Sequence, residues 1–118
     1  MANPFCHCEL ATHDVAKAKS FYGGLFDWKL EDMPMPDGTY TLIGVGEGTG
    51  GGMMKHPMPQ APAMWMPYAL VSDIHASTKK AKELGAQVMR DVTEVKDMGW
   101  FSIIVDPTGA HLGLWQSK

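Results

Sequence analysis

Long apolar runs are missing from this chain. Nowhere do 18 apolar residues follow one another, so no stretch is suited to cross a bilayer as a helix. The N-terminus, MANPFCHCEL, has no basic region leading into an apolar run and a small-residue cleavage site, and the expected setting is therefore the cytoplasm. Positive charge is sparse and scattered. Against 13 Asp and Glu there are 10 Lys and Arg, the net charge is −3, and the basic residues cluster only at Lys79-Lys80. That supplies no electrostatic footprint for a phosphate backbone or an anionic lipid surface, so neither nucleic acid nor membrane is expected as a partner. Cysteine is nearly absent too. Cys6 and Cys8 stand two apart in an extended run, so they point to one face at a spacing that strains a disulfide; two reduced, buried thiols are expected. A thiolate metal site would need further His or Cys partners on that face, and His7 between them falls on the other one.

What is present is ordinary for a globular protein. Apolar residues make up 45% and charged residues 19%, which is too apolar and too weakly charged for a disordered chain. A length of 118 residues fits one domain, 1–118, able to bury about two thirds of its unfolded surface without staples.

Residues 5–11 alternate, placing Cys6, Cys8 and Leu10 on one face and Phe5, His7 and Glu9 on the other. The thiol and leucine face should meet a helix. Asp14 is a cap for that helix, over residues 15–25, with Val15, Ala18, Tyr22, Leu25 and Phe26 as its apolar stripe and Asp27 as its left-handed stop. Strands are expected at 28–33 and 39–45, joined by the turn Met35-Pro36-Asp37-Gly38, and a short one at 52–55. The run GVGEGTGGG over 44–52 is a turn between strands, because no helix follows it and no Gly-Lys-Ser/Thr ends it. Four prolines in 56–67 exclude a helix and mark a crossover linker, and its three methionines pack there rather than hold copper. A strand at 68–72, a cap at Asp73, a helix with Ile74, Ser77, Ala81 and Leu84 inward and Gly85 as its end, and strands at 87–92, 100–105 and 110–116 complete the chain.

This order is βαβββ, linker, βαβββ. Asp14-Val15 matches Asp73-Ile74 at an offset of 59; at 61, Tyr40 matches Phe101 and Gly52 matches Gly113. The repeat, about 4–55 and about 67–117 around a linker of about 56–66, indicates an α+β fold. In it, two βαβββ repeats form a curled mixed sheet around a cleft, with helices on the outer face.

The segments FCHCELATHDVAKAKSFYGGLFDW and DPTGAHLGLWQ, with PMPDGTY and GVGEGTGGGMM between them, resemble the vicinal oxygen chelate superfamily of glyoxalase I, bleomycin resistance proteins and extradiol dioxygenases. Within it the chain is similar to bacterial proteins described as related to lactoylglutathione lyase. The resemblance implies a small organic molecule acted on or bound in the cleft, a homodimer, and one divalent metal held by four strand positions. Here those positions fall at His7, at Gly52, at Met66 or Pro67, and at Gly113, so only His7 retains a ligand. Glu9 shares the face of His7, His56 and His111 lie near the glycine positions, and His7, Glu9 and His111 offer a rearranged donor set. Without a metal, His7 and Glu9 are the candidate catalytic pair, since an interior carboxylate needs a partner or a shifted pKa. Glycine at 52 and 113 is expected to leave room, and Phe5, Met54, Tyr68, His111 and Trp115 to line a pocket for a flat or hydrophobic ligand. Three functions fit this reading: an enzyme of glyoxalase or dioxygenase type, a metal-independent protein that sequesters a drug or metabolite, and a regulatory protein with a vestigial pocket.

Overall fold

Among the described residues, two helices and eight strands follow from the two sequence periods. The computed structural model describes residues 2–36 and 38–118, so the Asp37 part of the expected 35–38 turn lies outside the described residues. In chain order the elements are β1 (Phe5–Thr12), α1 (Val15–Leu25), β2 (Lys29–Met35), β3 (Gly38–Gly44) and β4 (Gly51–Lys55). They continue with β5 (Met64–Leu70), α2 (Ile74–Glu83), β6 (Gln87–Val95), β7 (Gly99–Val105) and β8 (His111–Ser117). The fold is α+β, built of two βαβββ units with mixed sheets.

The unit His7–Met66 has the strand order β2-β3-β4-β1. β2, β3 and β4 are antiparallel neighbours and β4 runs parallel to β1. Its core is Leu10, Ile43 and the fully buried Met53, packed against Val15, Ala18 and Tyr22 of α1 and against Trp28 and Leu30. Pro34 is tolerated because β2 is an edge strand, where a missing N–H leaves no second neighbour unpaired. Leu25 and Phe26, expected inside, are exposed. The apolar stripe ends at Tyr22, and α1 closes with the Phe26 N–H on the Tyr22 carbonyl at 3.0 Å. Asp27 takes no left-handed angle; among the described residues the only non-glycine with positive φ is Asp97.

The second unit, Pro67–Lys118 with the residues up to Cys6, has the order β5-β8-β7-β6, with β5 and β8 parallel and the rest antiparallel. Val71, Ile74, Ile104 and Leu114 form its core. The N-terminal residues run along β5: the Leu70 N–H donates to the Pro4 carbonyl at 2.9 Å and the Cys6 thiol faces the Tyr68 carbonyl at 3.6 Å. Thr78, inside α2, donates to the Ile74 carbonyl at 2.7 Å, so the hydroxyl of buried Ser102 donates to Thr78 across 2.8 Å. The helical stripe is thus Ile74, Thr78 and Ala81, and Leu84, expected inside, is exposed one residue past the last turn. Gly85, with φ of 105°, ends the helix as expected. The linker is shorter than its prolines suggest, because β5 starts at Met64. Pro67 is harmless there: the ladder to β8 begins only at Tyr68.

Both expected caps form. Asp14 accepts from the Lys17 N–H at 3.0 Å and Asp73 from the Ala76 N–H at 3.1 Å. Asp14→Ala and Asp73→Ala should each lower unfolding free energy by about 1 kcal/mol, read as a shift in urea midpoint. Gln116 adds a second tie at α2, its side-chain oxygen accepting the Ile74 N–H at 2.8 Å. Asp73→Ala should therefore be the milder of the two.

Candidate functional site

Strand alternation sorts the side chains of the unit His7–Met66. Leu10 on β1, Thr41 and Ile43 on β3, and Gly51 and Met53 on β4 lie on the α1 side or are buried. His7 and Glu9, Tyr40 and Leu42, and Gly52 and Met54 are then on the opposite face. Register brings Glu9 opposite Gly52, and Leu42 opposite Gly52 from the other side.

Three of these meet. The Tyr40 hydroxyl donates to Glu9 Oε1 at 2.9 Å and lies 2.8 Å from His7 Nε2. A carboxylate oxygen only accepts, so the phenol's one proton is committed to Glu9. His7 must then donate Nε2–H to the phenol oxygen, which places the imidazole lone pair on Nδ1. Burial strips solvent from the ring and holds the His7 pKa below its ordinary 6.5, so the neutral imidazole is the resting form near pH 7.

The glycines do not open the site. A Cβ on Gly52 would run into the Tyr40 phenol, and one on Gly113 into the Tyr68 ring. Each glycine is the floor on which a tyrosine lies, so the room expected at 52 and 113 is filled by aromatic rings of the chain itself. Tyr40 is the site residue that sequence reasoning missed. A signal for it exists: it shares the face of His7 and Glu9 and stands three strand positions before the core residue Ile43.

The remaining candidates are placed as follows. Met54 is half-buried on the Tyr40 face. His56 is engaged elsewhere: its N–H bonds the Thr12 carbonyl at 2.9 Å, its Nδ1 accepts the Met58 N–H at 3.0 Å, and its ring stacks on His13 at 5.2 Å. Thr12 is five residues along β1 from His7, about 16 Å at the rise of a strand, so His56 does not complete a donor set with His7. In the second unit Tyr68 is buried and meets Phe101 edge-on at 6.5 Å. Trp115 is half-buried and donates to the Ser117 hydroxyl at 3.0 Å, His111 is exposed at the start of β8, and Phe5 is 64% exposed. A groove of about 240 Å³ lies between α2 and β6, but it is lined by His75, Lys79, Lys82 and Asp91 and not by these residues.

The family-type metal does not fit the donors present. Glu9 opposite Gly52 and Tyr68 opposite Gly113 make Met66, not Pro67, the counterpart of His7. The four positions are then one imidazole, one thioether and two glycines, and the imidazole is bonded to Tyr40. Among the described residues no three His, Cys, Asp or Glu side chains gather. A hard divalent ion is generally held by three or more such ligands, so the donors at these four positions do not fit it.

Two βαβββ units, each with a parallel β1–β4 or β5–β8 pair and a helix over one sheet face, define the class of vicinal oxygen chelate folds. Residues 5–114 match the Glyoxalase/Bleomycin resistance protein/Dioxygenase superfamily, and the chain belongs to that family. It is 37% identical over 118 residues to "Putative glyoxylase CFP32" of Mycobacterium tuberculosis, covering 93% of this chain and 44% of that protein. To the anthracycline biosynthesis protein DnrV of Streptomyces peucetius it is 26% identical over 123 residues, covering 92% and 45%. The chain thus spans less than half the length of these curated relatives. Among solved structures, a hypothetical protein from Bacillus halodurans shares the fold at a TM-score of 0.76 and 16% identity, covering 100% of this chain and 96% of that one. Methylmalonyl-CoA epimerase from Mycobacterium tuberculosis does so at 0.75 and 14%, covering 97% and 87%.

Proposed function

We propose that the chain moves a proton at a carbon next to a carbonyl group in a small organic molecule, using His7, Tyr40 and Glu9 without a metal. The observation that carries this reading is the continuous chain of hydrogen bonds from imidazole through phenol to carboxylate. His7 takes the proton from carbon at Nδ1, and the electron pair left behind moves onto the carbonyl oxygen. His7 then releases its Nε2 proton to Tyr40, which hands its own to Glu9. The positive charge, disfavoured on a desolvated ring, is cancelled at the carboxylate instead of resting on His7. Return of a proton to the same carbon or its neighbour completes an isomerisation that needs no external oxidant or reductant, because in the second case one carbon is oxidised as the other is reduced. A relative named "Putative glyoxylase CFP32" and epimerases among the structural neighbours support a substrate of this class.

The test is wash-in of solvent deuterium, followed by proton NMR, with methylmalonyl-CoA and with the adduct of methylglyoxal and a thiol. The C–H signal should be lost with wild-type protein and persist at least about a hundredfold longer with His7→Gln. Binding of a probe, seen as a rise in melting temperature, with no exchange of either would overturn the catalytic reading in favour of a sequestering protein. The homodimer and the cytoplasmic setting belong to the same proposal. Exposed Phe21, Leu25 and Phe26 on and beside α1 support the first, and two cysteines kept as thiols support the second.

A further inference from the structure

Arg90 is the only arginine in the chain, and its orientation is set by an irregularity of the sheet. In β6, Val88 and Val92 pack into the α2 core. Strict alternation from Val88 would send Arg90 into that core with them. It does not go there, because the β6–β7 register breaks on both sides of it: Val88 faces Ile104, Arg90 faces Ile103, and Thr93 faces Phe101. Two residues of β6 span one step of β7 before Arg90, and three span two steps after it. Each extra residue is a bulge, and a bulge reverses the face presented by the residues beyond it. Both valines thereby stay on the helix side while Arg90 and Thr93 turn to the other, the side of Phe101.

There the guanidinium carbon sits 5.6 Å from the centre of the Phe101 ring. Arg90 Nε donates to the Thr93 hydroxyl at 3.3 Å, and that hydroxyl is itself oriented by donating to the Asp91 carbonyl at 2.9 Å. One edge of the guanidinium is thus fixed, and the planar fork of its two terminal amino groups is left directed away from Thr93. Lys19 pairs with Asp32 and Lys118 with Glu94, and no carboxylate of the described residues is paired with Arg90. Phe101, half-buried, in turn meets the buried Tyr68 ring edge-on, which fixes its own ring beside the cation.

We propose that Arg90 is an anion-recognition residue of the second unit, taking in two parallel hydrogen bonds a carboxylate carried by a flat or apolar organic molecule that lies along Phe101. A planar, immobilised fork matches a carboxylate's two oxygens, which a lysine ammonium does not. The inference rests on the reading that the chain takes a small organic molecule, and it is independent of the proton-transfer step.

Benzoate and its neutral analogue benzamide are the probes, titrated into isotope-labelled wild-type protein and followed by NMR at Arg90, Thr93, Phe101 and Tyr68. Benzoate should bind about tenfold more tightly than benzamide, the lower end of what hydrogen bonds to a charged group contribute. R90Q should erase that preference, and R90K should retain only part of it. Arg90 is exposed, so both variants are expected to fold, and the benzoate to benzamide ratio in the wild type stands by itself if they do not. Equal binding of the two probes, no binding of benzoate, or an unchanged preference in R90Q would each overturn the assignment. His7→Gln separates the two proposals. Loss of deuterium exchange with benzoate binding intact fits both, exchange that survives His7→Gln sinks only the proton-transfer reading, and exchange without benzoate selectivity sinks only this one.

Discussion

Gly51→Ala is expected to destabilise the unit His7–Met66 by about 3 kcal/mol, the upper range for forcing a methyl group into a packed site, while Gly52→Ala next to it should cost only about 1. The difference lies in what each new Cβ would strike. At position 51 it meets the carbonyl of Cys8, its register partner on β1, and a ladder of backbone hydrogen bonds holds that carbonyl in place. At position 52 it meets the far end of the Tyr40 side chain, which can swing aside. Swinging aside has its own consequence, since the phenol oxygen bridges His7 and Glu9. Gly52→Ala should therefore lower the urea midpoint only about a third as far as Gly51→Ala yet shift the NMR titration of the His7 ring. Gly51→Ala should lower the midpoint more and leave that titration unchanged. Equal midpoints for the two variants would contradict this placing of the strands.

Tyr40→Phe should reduce turnover of any exchanging substrate by about a hundredfold, the lower range for loss of a positioned acid–base group. The ring stays on Gly52, so the fold is kept and only the hydroxyl between His7 and Glu9 is lost. The pH profile gives the sign of the His7 contribution. Its native pKa lies below 6.5, so activity that needs neutral imidazole should hold at pH 6.5 and above and fall only at lower pH. Stability follows the same window by linkage. Above pH 6.5 the native and unfolded chains both carry neutral His7, and pH has no effect through this group. Between 6.5 and the lower native pKa the unfolded chain takes up the proton first, so unfolding becomes easier as pH falls, and the effect levels off below the native value. His7→Gln should flatten that part of the stability curve; a slope that persists unchanged would assign it to other groups.

Much of the fold was legible because it depends on local rules. Two aspartate caps, Gly85 past the end of α2, and period-two apolar alternation are properties of short stretches, and each formed where the sequence placed it. The misses have a common cause. Leu25, Phe26 and Leu84 extend apolar stripes past the last residues that a sheet face covers, and apolar character alone does not say where the cover ends. Met64 and Trp65 read as linker because of the prolines around them, although Pro67 precedes the point where β5 needs its N–H for β8.

The site divides in the same way. The sequence by itself determined that His7 and Glu9 share a strand face, that the family's metal positions hold glycine at 52 and 113, and that the two halves repeat. Only the tertiary structure decided what those glycines are for. A Cβ is a local feature, but whether its place is empty or filled depends on a ring from another strand, and here Tyr40 and Tyr68 fill it. It also decided which way Arg90 faces. Alternation sends that side chain to the core side with Val88 and Val92, whereas strand pairing, fixed across β6 and β7 and not along either, inserts the two bulges that turn it to Phe101.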